Sequence, residues 1–151
     1  MGEGVRRFAP LLLTALVAAA PLHAQDPPTE AGALAAAVRF LRTMPRVGDS
    51  IPIVTDTAAV RRALTRCTEV PGAAPSCVLV DGREAWLVLV RLRAAASAEV
   101  EVREYQVLRR TCAFGEPSPE PMLGYLAGQS WTMAYVDGRW TWDKRGRGWV
   151  C

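Results

Sequence analysis

The sequence predicts a single α+β domain, with two N-terminal helices packed on a curved antiparallel sheet of about four to five strands and stapled by disulfides. Three observations carry this. Apolar residues recur at helical spacing as far as Cys67, the period becomes strand-like from Cys77 onward, and all four cysteines fall in the part of the chain that reads as exported. With 151 residues, 50% of them hydrophobic and 22% charged, the chain has the balance of one globular domain.

Residues 1–24 read as a secretory leader. Arg6 and Arg7 precede an apolar run over 8–20, and Pro21, Leu22, His23 and Ala24 then form a small-residue cleavage site before Gln25. The run is too short to span a hydrocarbon core of roughly 30 Å, and Pro10 interrupts it. No membrane span is therefore expected after cleavage. The mature domain becomes 25–151, with a net charge of +2 once two Arg and one Glu are removed. It then holds no histidine, because His23 is the only one in the chain. That excludes Ser-His-Asp and Cys-His hydrolases, His-liganded zinc and imidazole bases. No catalytic residue, metal or cofactor is assigned. Arg outnumbers Lys 17 to 1 and Asn is absent, a bias expected of a GC-rich bacterial genome. Nucleic-acid binding is not expected, since it would need the positive charge clustered on one face.

The first helix is expected to begin at Thr29, a good N-cap, with Leu34, Val38, Leu41 and Met44 as its buried stripe and Pro45 as its end. Residues 51–54, with Pro52 inside, suit a sheet edge or a linker. A second helix capped by Thr55 or Asp56 would bury Val60, Ala63, Leu64 and Cys67. Strands are expected over 77–80 and 84–93, joined as a hairpin by Asp81-Gly82, with 85–90 apolar on both faces as in a covered central strand. In the next strand, 100–110, Val100 and Val102 share one parity while Tyr105 and Val107 share the other. Either a bulge lies near Arg103 and Glu104, or Glu104 points inward with the valines; a bulge turning Glu104 to solvent is the favoured expectation. Residues 113–129, with alternating prolines at 117, 119 and 121, read as a long loop. A second Asp-Gly hairpin pairs 131–136 with 139–143. The four cysteines suggest Cys67 with Cys77 and Cys112 with Cys151, while the absence of closely spaced pairs argues against a zinc site.

That second hairpin would put Trp131, Met133, Tyr135, Trp140 and Trp142 on one face. Such a face could bind an apolar, ring-bearing ligand, with Glu104 or Tyr105 supplying a polar contact. It reads more readily as core beneath the first helix, since aromatic cross-strand pairs stabilise a sheet without a ligand. The Arg-Gly-Arg-Gly run at 145–148, beside Lys144 and Trp149, is expected to be a turn before a terminal strand rather than a site for phosphate or acidic polysaccharide.

Helices first, then a meander ending in Trp131, Tyr135, Asp137-Gly138 and Trp140, is an order that resembles the nuclear transport factor 2-like superfamily and, more loosely, the cystatin-like fold. Enzymes of that superfamily commonly use an Asp with a His or Tyr inside the cone, and this chain lacks both a mature histidine and an inward Asp. The expected function is thus a non-catalytic secreted or periplasmic binding or interaction module, for a small apolar ligand or a protein partner. Two alternatives are an enzyme inhibitor acting through the 113–129 loop and an isomerase- or hydratase-like enzyme using Glu104.

Overall fold

The computed structural model describes residues 26–110 and 115–151. The expected leader and Cys112 lie outside them. In chain order the elements are α1 (Glu30–Arg42), β1 (Ile53–Val54), α2 (Thr57–Leu64), β2 (Thr65–Thr68), β3 (Ser76–Leu79), β4 (Glu84–Ala94), β5 (Ser97–Arg110), β6 (Pro117–Val136) and β7 (Arg139–Val150). The main sheet runs β1-β4-β5-β6-β7, and β2 pairs with β3 in a separate two-stranded sheet. The domain is α+β, as expected, but the main sheet is mixed: β1 lies parallel to β4, with Ile53 beside Trp86 and Val54 beside Leu87. The long connection from β1 through α2 and the small sheet gives the chain room to return in the same direction.

Both helices start on the caps their sequences offer. Thr29 accepts a hydrogen bond from the Gly32 amide at 3.1 Å, and Asp56 accepts one from the Ala59 amide at 2.7 Å. The face α1 buries is rotated from the expected stripe. Ala33, Ala36, Ala37 and Leu41 are buried while Leu34, Val38 and Met44 are only partly so. Small alanines let the helix backbone come close to the Trp86 and Val88 side chains beneath it. In α2, Val60 and Leu64 are buried as expected, but the helix ends at Leu64, so Cys67 lies exposed in β2 and not on the core side.

Each face of β4 has its own core. Trp86 and Val88 join the α1 cluster with Ala98, Val100, Val102, Met133 and Trp140. Ala85 and Leu87 join a smaller cluster with Val60, Leu64 and Val107, against which Tyr105 and Leu79 pack. The parity of β5 is accordingly unbroken: its even residues face α1, and Tyr105 and Val107 face α2. A sheet covered on both sides makes both parities apolar, which a single strand's pattern reads as a break.

Three further expectations are corrected. Asp81-Gly82 closes no hairpin between its flanking strands, since β3 pairs with β2 and β4 belongs to the other sheet. Among the residues of the two Asp-Gly turns, Asp137, Gly138 and Gly82 have positive φ and Asp81 does not, so only 137–138 has the both-positive form of a two-residue hairpin turn. The expected loop over 113–129 is strand from Pro117 onward, paired with β5 on one side and with β7 on the other. Its prolines lie at 117, 119 and 121, and the β7 pairing begins only at Ala127, so they sit on an edge where no amide is needed. Finally, residues 145–148 are part of β7 and not a turn.

Cys67 and Cys77 face each other across β2 and β3 and are disulfide-bonded. Cys151 is also disulfide-bonded; the expected partner, Cys112, is outside the described residues.

Candidate functional site

The aromatic face of the β6–β7 hairpin divides into a filled half and an open half. Toward the turn, Met133 is fully buried and Trp140 is 5% exposed. The segment before α1 closes over them: Tyr135 donates its hydroxyl to the Asp26 carbonyl at 2.6 Å, and Trp140 Nε1 donates to the Pro27 carbonyl at 3.0 Å. The Asp26 amide in turn donates to the Gly138 carbonyl at 3.1 Å. Met133 and Trp140 are therefore core, Tyr135 packs half-buried against them, and none of the three lines the cavity on the other half of the face.

Away from the turn, the same face opens into a cavity of about 950 Å³. Trp86 of β4 and Val102 of β5 line it beside Glu104, and Ala127, Gln129 and Trp131 of β6 continue it toward Arg145 of β7. Phe40 and Met44, from the end of α1 and just beyond, form the opposite wall. Trp142 supports this wall from outside the lining, with its ring 4.5 Å from Phe40 and 5.3 Å from Trp131 between centroids. Tyr105 takes no part, since it packs against the α2 core.

Glu104 points inward with the valines, contrary to the favoured expectation. The register does shift at Glu104 and Tyr105, but the extra residue is Leu126 on β6, because Glu104 pairs with Ala127 and Tyr105 with Tyr125. The bulge thus falls on the neighbour and leaves β5 straight. The Glu104 side chain is 19% exposed, and its carboxylate forms an ion pair with Arg46 at 3.1 Å. Burial raises its pKa above the ordinary carboxylate value; the Arg46 charge pulls it back, and nearby Glu84 pushes it further up. Arg46 is held over the cavity by the segment between α1 and β1, which Arg42 clasps by donating to the Gly48 carbonyl at 2.7 Å and the Ile51 carbonyl at 2.8 Å.

Arg145 reaches the same cavity through a second bulge. Straight continuation of the hairpin would set Trp131 opposite Lys144, but Asp143 is extra in β7, so Trp131 pairs with Arg145 and Thr132 with Lys144. Arg145 Nε donates to Gln129 Oε1 at 3.0 Å, and Gln129 Nε2 donates to the Gly146 carbonyl at 2.9 Å. The Gln129 amide has this place because residue 148 is glycine, where a Cβ would come within 2.6 Å of Oε1.

Of the residues singled out from sequence, the fold thus brings Glu104 and Trp131 into one cavity, with Trp142 behind them. Sequence reasoning passed over Phe40, Met44, Arg46, Trp86 and Gln129. The apolar residue at 86 was legible as part of a two-faced strand, but nothing local ties Arg46 or Gln129 to Glu104. Chemically, the cavity offers aromatic walls, one carboxyl and two guanidinium groups. Among the described residues, no cluster of three or more His, Cys, Asp or Glu is placed to hold a metal ion. No described helix is long and apolar enough to cross a membrane.

Comparison with known proteins yields no match to a family model, to a curated protein or to a solved structure.

Proposed function

We propose that the protein is an exported, non-catalytic binding module that takes a small, ring-bearing ligand into the cavity between α1 and the open half of the sheet. The observation that carries this is the cavity lined from Trp86 to Trp131 on a face whose other half is filled. A volume of about 950 Å³ suits a small organic molecule. Mostly apolar walls with a few convergent polar groups are the common make-up of such sites. The order of helices followed by a meander, which resembles the nuclear transport factor 2-like superfamily, agrees with a sheet that presents one face to a ligand.

The test is a fluorescence titration with indole, naphthol and naphthoate as probes, read from the tryptophans at the site. At least one should quench saturably with a Kd below about 1 mM, which is about −4 kcal/mol. Ala127→Trp, which fills the cavity floor, should abolish it. Quenching unaltered by that substitution would remove the cavity from consideration. Export is checked separately, by a mass that begins at Gln25.

A second function is favoured by Glu104 alone. A half-buried carboxyl with a raised pKa beside an arginine is suited to general acid or base work on a bound substrate, as in an isomerase or hydratase. Glu104→Gln would then lower turnover of a bound compound by at least about tenfold while leaving its affinity in place.

A further inference from the structure

The two outer edges of the main sheet are built differently. β7 forms one edge, and its sequence carries Asp143, Lys144, Arg145 and Arg147, two glycines, and register shifts in its pairing with β6. Charges and bulges are the ordinary means by which an edge strand is kept from pairing with another chain. The opposite edge is less protected, with one arginine, Arg91, between Val88 and Leu92 and no register shift before Leu92. β4 runs from Glu84 to Ala94, yet β1 covers only Trp86 and Leu87. Beyond them come Val88, Leu89, Val90, Arg91 and Leu92, without proline or glycine, and the strand's register against β5 does not shift until Leu92.

The orientation of this edge follows from one hydrogen bond. The Trp86 amide donates outward, to the Pro52 carbonyl at 2.9 Å. Backbone groups alternate sides along a strand, so Val90 and Leu92 also turn their N–H and C=O outward, while Leu89 and Arg91 bond toward β5. β1 has ended by then, and among the described residues Val90 and Leu92 have no strand partner on that side. A second cavity, of about 320 Å³, lies against the same stretch, between Ala31 and Leu34 of α1 and Val88 and Val90 of β4.

We propose that the β4 edge from Val88 to Leu92 is a strand-addition site for an extended segment of a partner protein in which apolar and acidic residues alternate. Unpaired amides and carbonyls in a row are satisfied by another extended backbone, and the cavity beside α1 receives its apolar side chains. The alternation follows from the two faces. On the α1 side, Glu30 lines the cavity and repels an acidic residue. On the other side, Arg91 is exposed and makes no ion pair among the described residues, whereas Arg93 is paired with Glu99. A second copy of this chain fits less well, because antiparallel self-pairing centred on Val90 would place two Arg91 side chains on one face as diagonal neighbours.

The probe is a blocked peptide of sequence Thr-Val-Glu-Val-Glu-Val-Thr, with a lysine version, Thr-Val-Lys-Val-Lys-Val-Thr, beside it. Amide hydrogen exchange on the full chain should slow at Val90 and Leu92 by at least about tenfold with the glutamate peptide and not with the lysine one, leaving β7 unaffected. Val90→Pro removes an outward amide without touching the ladder to β5 and should abolish the protection. Arg91→Glu should reverse the preference to the lysine peptide, and it serves where the proline variant does not fold. Three results would overturn the proposal: no protection by either peptide, equal protection in Val90→Pro, or a concentration-dependent dimer that protects the same amides without peptide, which would assign the edge to a second copy.

Discussion

The filled and open halves of the β6–β7 face are built from similar residues and do different things. Trp140 and Tyr135 have their polar atoms taken by carbonyls of the segment before α1, and Met133 is sealed beneath them. Trp131 and Trp86, on the same face, look into a cavity. Aromatic content does not distinguish core from pocket; what distinguishes them is whether another segment of chain lies on top. In this fold that segment ends where α1 begins, and the C-terminal end of α1 with Arg46 arches over the other half without filling it.

The largest effect should come from breaking the filled half. Met133→Ala removes a fully buried side chain and is expected to cost about 2–5 kcal/mol in a denaturant titration. Smaller losses are expected from Tyr135→Phe, about 0.5–1.5 kcal/mol for one hydrogen bond to the covering segment, and from Trp140→Phe, which gives up its own hydrogen bond to that segment and part of a buried ring besides. If these two were silent, the segment would not be what closes that half.

Glu104→Gln, in the open half, should act through pH. A carboxyl whose folded pKa lies above its unfolded value costs stability in full above the folded pKa, and the cost fades as pH falls through the folded pKa toward the unfolded one. Melting temperatures of Glu104→Gln should therefore exceed those of the parent protein at neutral pH, with the gap closing on acidification. The smallest effect should be that of Arg46→Ala, whose ion pair with Glu104 is largely exposed on the arginine side. It should move the Glu104 titration to still higher pH, read by side-chain carboxyl NMR, and a downward move would mean that Arg46 does not stabilise the Glu104 carboxylate.

Much of the fold was legible because its signals are local. Thr29 and Asp56 as caps, Asp137-Gly138 as a hairpin turn and Cys67 with Cys77 as a disulfide each depend on a few neighbouring residues. The identical string Val-Asp-Gly-Arg at 80–83 and 136–139 marks the limit. One copy closes a hairpin, while in the other the disulfide-bonded β2 and β3 pair with each other and the turn passes the chain between sheets. Partner choice, not turn chemistry, decided that outcome. The misread strand over 117–129 failed for a related reason, since its prolines exclude a central position and say nothing against an edge.

The site was less legible than the fold. Among its charged members, Arg145 comes into place through Asp143, which has no counterpart on the adjoining strand, and Arg46 through the segment that Arg42 clasps, while Glu104 keeps the parity of its own strand. A bulge is set by the partner strand as much as by its own sequence, so Arg145 could not be oriented from its strand alone, and Glu104 was obscured because both faces of its strand are apolar.

The hydrogen bond from Tyr135 to Asp26 joins residues 109 positions apart. A chain is synthesised from its N-terminus, so the stretch that seals the core emerges first and finds its seat only after β6 and β7 have been made. Until then Met133 and Trp140 have no cover and α1 has only part of its floor. Closure of this domain is thus an end-to-end event, slow by the measure of its sequence separation.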